Sequence, residues 1–247
     1  MLRLGDDALV LAQRASEWAG HGPVLEEDLA MANIGLDLLG QSRMLLTHAG
    51  KLEGKGRDED ALAYFRDSPA FRNHSMSELP NGKGRHEDYA VTITRHYLHS
   101  ERMVLVWSAL AESTDMQLVA IAAKAIKEAK GHLRHARNWL IRFGDGTDES
   151  HERAQAAVDL LWPYTHEYWI DDEIDQAAAS AGVLSLPSSF REGWQAAVAD
   201  TLAEATLSQP EDSAFLSRGK QGQHTEHMDY LLAEMQQVAR AHPGAKW

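Results

Sequence analysis

The stretch DLAMANIGLDLLGQSRMLL, Asp28 to Leu46, is apolar on almost every side of a helix, yet it sets Asn33, Asp37 and Gln41 at successive spacings of four. Residues four apart share one flank of a helix. Two readings account for such a ladder. Either it is the solvent face of an amphipathic helix, or it lines the interior of a bundle, satisfied by hydrogen bonds and an ion pair from neighbouring helices. Gln41 is informative in the second case. Its neutral amide mimics the shape of a carboxylate ligand but is a poor donor to iron, so the helix would pack without metal.

Working outward, the spacing predicts a first helix over about Gly5 to Ala19. GHGP (Gly20 to Pro23) ends it, because two glycines and a proline do not continue helical geometry cheaply. Glu26, Glu27 and Asp28 suit the positive N-terminus of a second helix running to about Gly50. So short a link makes the two antiparallel. Lys51 to Lys83 is too polar and broken for a long helix and reads as a crossover with a short helix near Asp60 to Phe65. A third helix is expected over about His86 to Ala111 and a fourth over about Asp115 to Phe143, with Thr114 and Gln117 as a capping box. This second hairpin closes at GDGTD (Gly144 to Asp148). Beyond it come a fifth helix interrupted at Trp162-Pro163, a sixth opening with SFRE (Ser189 to Glu192), and a seventh over about Thr225 to Ala241.

Alternating strand patterns are nearly absent, so the fold class is all-α. Two antiparallel hairpins joined by a long crossover match a ferritin-like four-helix bundle, although cytokine-type bundles also use long crossovers. About three additional C-terminal helices follow. No linker composition divides the chain, which predicts a single domain over 1–247, with a core bundle at about 5–143 and accessory helices at about 148–241.

Composition narrows the function classes. The 247 residues are 44% hydrophobic, enough for a substantial core. The absence of cysteine excludes disulfides, thiolate metal sites and a cysteine nucleophile, and fits a reducing compartment, with the cytoplasm as the expectation. The N-terminus lacks the apolar core of a signal peptide, and no run of eighteen apolar residues predicts a membrane span. With 24 Lys+Arg against 37 Asp+Glu, the net charge of -13 repels phosphate backbones and argues against nucleic acid. One local exception is Lys124, Lys127, Lys130, Arg134 and Arg137, which share one side of a helix. They form either a solvated face or a docking strip for an acidic partner or a phosphorylated cofactor.

A carboxylate-bridged di-iron bundle needs Glu on two helices and Glu-x-x-His on two more, so that one turn offers an oxygen and a nitrogen donor to the same metal. The chain contains no Glu-x-x-His. Its one Asp-x-x-His, Asp148 with His151, falls at a helix start, where N-terminal capping explains it. The near misses are Asp37 with Gln41 and Glu128 with His132, each at i, i+4, and Glu17 on the first helix could join them. Glu128 and His132 are expected to point inward, away from the lysine strip. The pairs His96/His99, His132/His135 and His224/His227 lack a carboxylate at the matching offset and read as surface or satisfied core histidines. RGKQGQH (Arg218 to His224) is not a phosphate-binding loop; it reads as a basic turn before the last helix.

ANIGLDLLGQSR (Ala32 to Arg43), LPNGK (Leu79 to Lys83), AKAIKEAK (Ala123 to Lys130) with HLRHARNWLIRFGDGTDES (His132 to Ser150), and GKQGQHTEHMDYLLAEMQ (Gly219 to Gln236) carry a resemblance. The chain resembles the C-subunit family of the bacterial ring 1,2-phenylacetyl-CoA epoxidase, the monooxygenase of aerobic phenylacetate degradation, from its first helix to Trp247. One departure is KGRHED (Lys83 to Asp88), a longer link than the family's usual one. The resemblance implies a ferritin-like structural subunit that pairs with a related catalytic A subunit. The A subunit would hold the di-iron centre and the acyl-CoA, alongside a small B subunit and a reductase carrying FAD and an iron-sulfur cluster. It also implies that this chain holds no cofactor. Glu17, Asn33, Asp37, Gln41, Glu128 and His132 would then be the polar remnant of a former metal pocket. Two rival readings are a self-sufficient metal-carboxylate oxidoreductase using Glu17, Asp37, Glu128 and His132, and a helical adaptor with no link to an oxygenase.

Overall fold

The computed structural model describes residues 1–83 and 86–245. Of the KGRHED segment, Gly84 and Arg85 lie outside the described residues, as does the terminal Trp247. Among the described residues ten α-helices follow one another: α1 (Leu2–Ser16), α2 (Leu25–Glu53), α3 (Glu59–Tyr64), α4 (Ser75–Glu78), α5 (Tyr89–Leu110), α6 (Met116–Gly144), α7 (Asp148–Leu161), α8 (Glu173–Ser180), α9 (Arg191–Glu204) and α10 (Glu226–Ala241). Among the described residues the fold is all-α apart from a short antiparallel ladder pairing Gly82 with Glu87 and Lys83 with His86 and an isolated bridge between Arg218 and Gln223. Its contacts divide it into two compact units, one of Met1–Pro80 with Ser217–Trp247 and one of Asn81–Leu216.

In the first unit, α1 and α2 form the expected hairpin. The connection is tied by Asp28, whose Oδ2 accepts from the amides of Gly20 at 2.8 Å and Gly22 at 3.2 Å. Gly35 lets the helices close up, since a Cβ there would meet Ser16 Oγ at 3.2 Å and Ala12 O at 3.5 Å. Helix α2 ends at Gly54, which adopts φ 70° and donates its N–H to Gly50 O. The crossover that follows is folded rather than loose. Asp58 caps α3 by accepting from Ala61 N, and Leu62, Ala63 and Phe71 join Leu9, Val10, Leu46, Met228, Leu231 and Leu232 in one apolar cluster. Burying each large side chain there stabilises the unit by about 1.5–3 kcal/mol.

In the second unit, α5 is buried on nearly every side, including an unbroken run from Tyr89 to Ser100. It packs on α6, α7 and α9. Tryptophans dominate this core: the Trp194 ring lies 5.8 Å from Trp162 and 5.2 Å from Trp169, and Trp194 Nε1 donates to Leu98 O at 3.1 Å. Such aromatic contacts add about 0.5–1.5 kcal/mol per pair beyond area burial.

Three local expectations are corrected. The cap of α6 is Asp115, which accepts from Gln117 N and Leu118 N, while the Thr114 hydroxyl donates to Ala181 O at 2.9 Å. A carboxylate one residue nearer the helix thus displaces the Thr114/Gln117 box. SFRE does not form a box either. A 3₁₀ turn over Pro187–Phe190 precedes α9, and Ser189 Oγ donates backwards to Leu186 O at 2.6 Å. Finally, α8 is an extra helix, opened by the reciprocal pair Asp172 and Asp175.

Candidate functional site

The polar ladder on α2 crosses from solvent to interior. Asn33 is exposed, Asp37 half-buried and Gln41 buried. Each i, i+4 step turns about 40° around the axis, so three such residues sweep across the boundary rather than sharing one environment. Glu17 closes α1 and is ion-paired with Arg14, one turn earlier. These four candidates belong to the first unit, whereas Glu128 and His132 belong to the second. On α6, His132 is buried and Glu128 is half-buried, with an oxygen 3.4 Å from Lys124 Nζ.

The basic strip on α6 is not uniform. Lys124, Lys127, Lys130 and Arg134 are exposed, but Arg137 is drawn onto α9, where Nε donates to Thr201 Oγ1 at 3.2 Å and the guanidinium pairs with Glu204. Four cations therefore remain displayed along three turns.

Three buried carboxylates in the first unit escaped sequence reasoning. Asp6 pairs with Arg66 and accepts from Arg72 N at 2.8 Å; burial raises its carboxyl above the ordinary range even though the Arg66 guanidinium pulls it down. Asp7 accepts from His74 N at 2.7 Å and Ser77 Oγ at 3.0 Å, and its other oxygen lies 2.7 Å from His74 Nδ1. Glu78 lies 2.7 Å from His224 Nδ1 and accepts from Asn73 Nδ2 at 2.9 Å. The available signal is the consecutive Asp6-Asp7 directly before the apolar run Ala8–Ala12 of α1. In the RGKQGQH turn Gly219 and Lys220 are buried, while Arg218, Gln221 and Gln223 are exposed.

In the second unit, His96 and His99 on α5 are buried, as is His132 on α6. Burial pushes the His96 imidazole well below its usual range, assisted by Arg95 and by the neighbouring His132, His99 and His135. His96 Nε2 has no hydrogen-bond partner among the described residues. A ring in this setting is held neutral.

These residues do not fit a carboxylate-bridged pair of irons. Among the described residues, no three His, Asp or Glu side chains converge in a way that could hold a metal ion, and the repeated Glu-x-x-His donor pair is missing from the sequence. No described helix is long and apolar enough to cross a membrane.

The model of the family described as phenylacetic acid catabolic protein matches residues 1–247. The chain belongs to that family. Within the phenylacetic acid catabolic proteins it is similar to the C subunit of 1,2-phenylacetyl-CoA epoxidase from Escherichia coli (strain K12), with 49% identity over 246 residues, covering 100% of this chain and 97% of that protein. This family membership agrees with the resemblance drawn from ANIGLDLLGQSR and the other quoted stretches.

Proposed function

We propose that this chain is a non-catalytic structural subunit of a multicomponent phenylacetyl-CoA 1,2-epoxidase, and that it scaffolds the di-iron A subunit. The observation that carries this reading is the 49% identity to the C subunit of an epoxidase, which runs the full length of the chain. The donor chemistry supports it. Gln41 places a buried amide beside the apolar core of α2, and Glu128 is engaged by Lys124, so neither α2 nor α6 offers the Glu-x-x-His that iron would need. We assign Glu17, Asn33, Asp37 and Gln41 in one unit, and Glu128 and His132 in the other, as polar remnants of former metal-ligand positions that bind no metal.

On this reading the chain acts on phenylacetyl-CoA only through the complex. A small B subunit and an FAD and iron-sulfur reductase complete the assembly in the cytoplasm. The exposed cations Lys124, Lys127, Lys130 and Arg134 are the surface we assign to an acidic partner or to the coenzyme A phosphates. The test is co-purification and metal analysis. Mixed with the A subunit, the chain should elute as one stable complex, and alone it should hold far less than one iron per chain. Near-stoichiometric iron in the isolated chain, lost together with activity in Glu128→Ala, would instead establish a self-sufficient metal enzyme. Capture of partners other than the A subunit would establish an adaptor.

A further inference from the structure

Helices α2 and α3 border a cavity of about 250 Å³ within the first unit. Its α2 wall is the stripe Leu39, Ser42, Arg43 and Leu46, spaced i, i+3, i+4 and i+7, which one helix face presents together. Glu59, Asp60 and Ala63 of α3 line the other wall, and Leu9 of α1 joins them. Leu9, Leu46 and Ala63 are buried, whereas Leu39, Arg43 and Asp60 are exposed. The cavity therefore has an apolar floor and a charged mouth.

One polar side chain belongs to that floor. Ser42 is 1% exposed, and its Oγ has no hydrogen-bond partner among the described residues. Three other helical hydroxyls satisfy themselves on the carbonyl four residues earlier: Ser16 donates to Ala12 O at 2.8 Å, Thr47 to Arg43 O at 2.7 Å and Ser108 to Val104 O at 2.7 Å. Ser42 does not make the equivalent bond. A buried hydroxyl left unpaired costs free energy, and a ligand that supplies the partner recovers it.

Size and charge narrow the ligand. A dry cavity of about 150 Å³ holds benzene, so this larger one takes a six-membered ring or a short chain with one small substituent. At the mouth the carboxylates of Glu59 and Asp60 outnumber the Arg43 guanidinium, which already pairs with Glu59 at 3.3 Å. Glu59 is held as an anion: its own backbone amide, the Thr47 hydroxyl and Arg43 keep its carboxyl below the ordinary range. An anionic ligand is repelled at such a mouth. A cation would leave water for a floor that offers it a single hydroxyl, which is costly. A neutral hydroxyl meets neither obstacle, and Ser42 can donate to it or accept from it as its own hydroxyl turns.

The geometry points to a binding site between α2 and α3 for a small neutral alcohol or phenol, with Ser42 Oγ as its hydrogen-bond partner and Leu9, Leu46 and Ala63 against its apolar body. The site lies wholly within this chain's first unit, so it stands or falls separately from the scaffold reading.

Phenol, neutral at pH 7, is the probe, titrated into the full-length chain and followed by calorimetry and by the backbone amide resonances of Ser42 and Ala63. The wild-type chain should bind it saturably with a Kd of about 1 mM, shifting both resonances. Benzoate should bind at least about tenfold more weakly than phenol. Ser42→Ala should weaken phenol about fivefold and leave benzene unaffected, as expected for one lost hydrogen bond. The free Ser42→Ala chain should melt no lower than wild type, because the hydroxyl it loses has no partner in the fold. The inference is overturned by any of four results: no saturable phenol binding, shifts that bypass Ser42 and Ala63, benzoate binding as tightly as phenol, or equal phenol affinity in Ser42→Ala. A lower melting midpoint in Ser42→Ala would also overturn it, by showing that the fold already uses the hydroxyl.

Discussion

The two units solve the same problem, holding irregular chain against a helical hairpin, with opposite chemistry. The first fastens its crossover and C-terminal segment with buried ionisable groups: Asp6 to Arg66, Asp7 to His74, and Glu78 to His224. The second fastens the chain after α7 with tryptophans, packing Trp162 and Trp169 around Trp194. Buried ion pairs gain little net free energy over apolar packing but are very costly to break singly. Aromatic packing degrades more gradually, because a smaller ring keeps part of the contact. The first unit therefore adds buried ion pairs to the apolar cluster that joins its crossover to α10, whereas the second relies on aromatic packing.

That contrast gives its largest effect at Arg66. Arg66→Ala strands the buried Asp6 carboxylate and should cost about 3–5 kcal/mol in urea unfolding. The double variant Asp6→Leu with Arg66→Met should recover most of that loss. If the double variant is as unstable as Arg66→Ala, the pair is not what fastens the crossover. Next comes Trp194→Phe, which loses ring area and the bond to Leu98 O and should cost about 2 kcal/mol, well below the cost of an unpaired charge. A larger loss than at Arg66 would reverse the comparison.

Acid should distinguish the units further. His96 is held below its ordinary pKa in the folded state, so the unfolded chain takes up a proton that the folded chain refuses. The stability it contributes is present above about pH 6.5 and is lost as pH falls below that value. Melting midpoints should drop between about pH 7 and pH 5.5 in wild type and drop less in His96→Gln. Identical pH profiles would remove His96 from the account. The smallest effect is expected at Arg153, whose half-exposed pair with Asp88 at 2.9 Å should contribute less than about 1 kcal/mol when removed as Arg153→Ala.

Much of this organisation was legible in the sequence because helical periodicity is local. The α1/α2 and α5/α6 hairpins follow from apolar spacing and from breakers such as GHGP, and their observed ends lie within about three residues of expectation. What was not legible depends on partners far apart in the chain. Nothing local to Glu78 predicts His224, and nothing local to Asp6 predicts Arg66. Helix α8 was missed because it is only eight residues long, although Asp172 and Asp175 announce its start. The ladder on α2 fits neither a wholly exposed nor a wholly interior face, because a 40° drift per step carries it from exposed Asn33 to buried Gln41.

The central claim is that this chain shapes a catalytic partner and supplies no metal of its own. Reconstitution tests it most directly: the A subunit and reductase are assayed with and without this chain, following epoxide formation and iron bound per protein component. The account predicts that iron tracks the A subunit alone, while turnover collapses when this chain is omitted. Undiminished turnover without it, or iron that rises in step with this chain and vanishes with Glu128→Ala, would contradict the account.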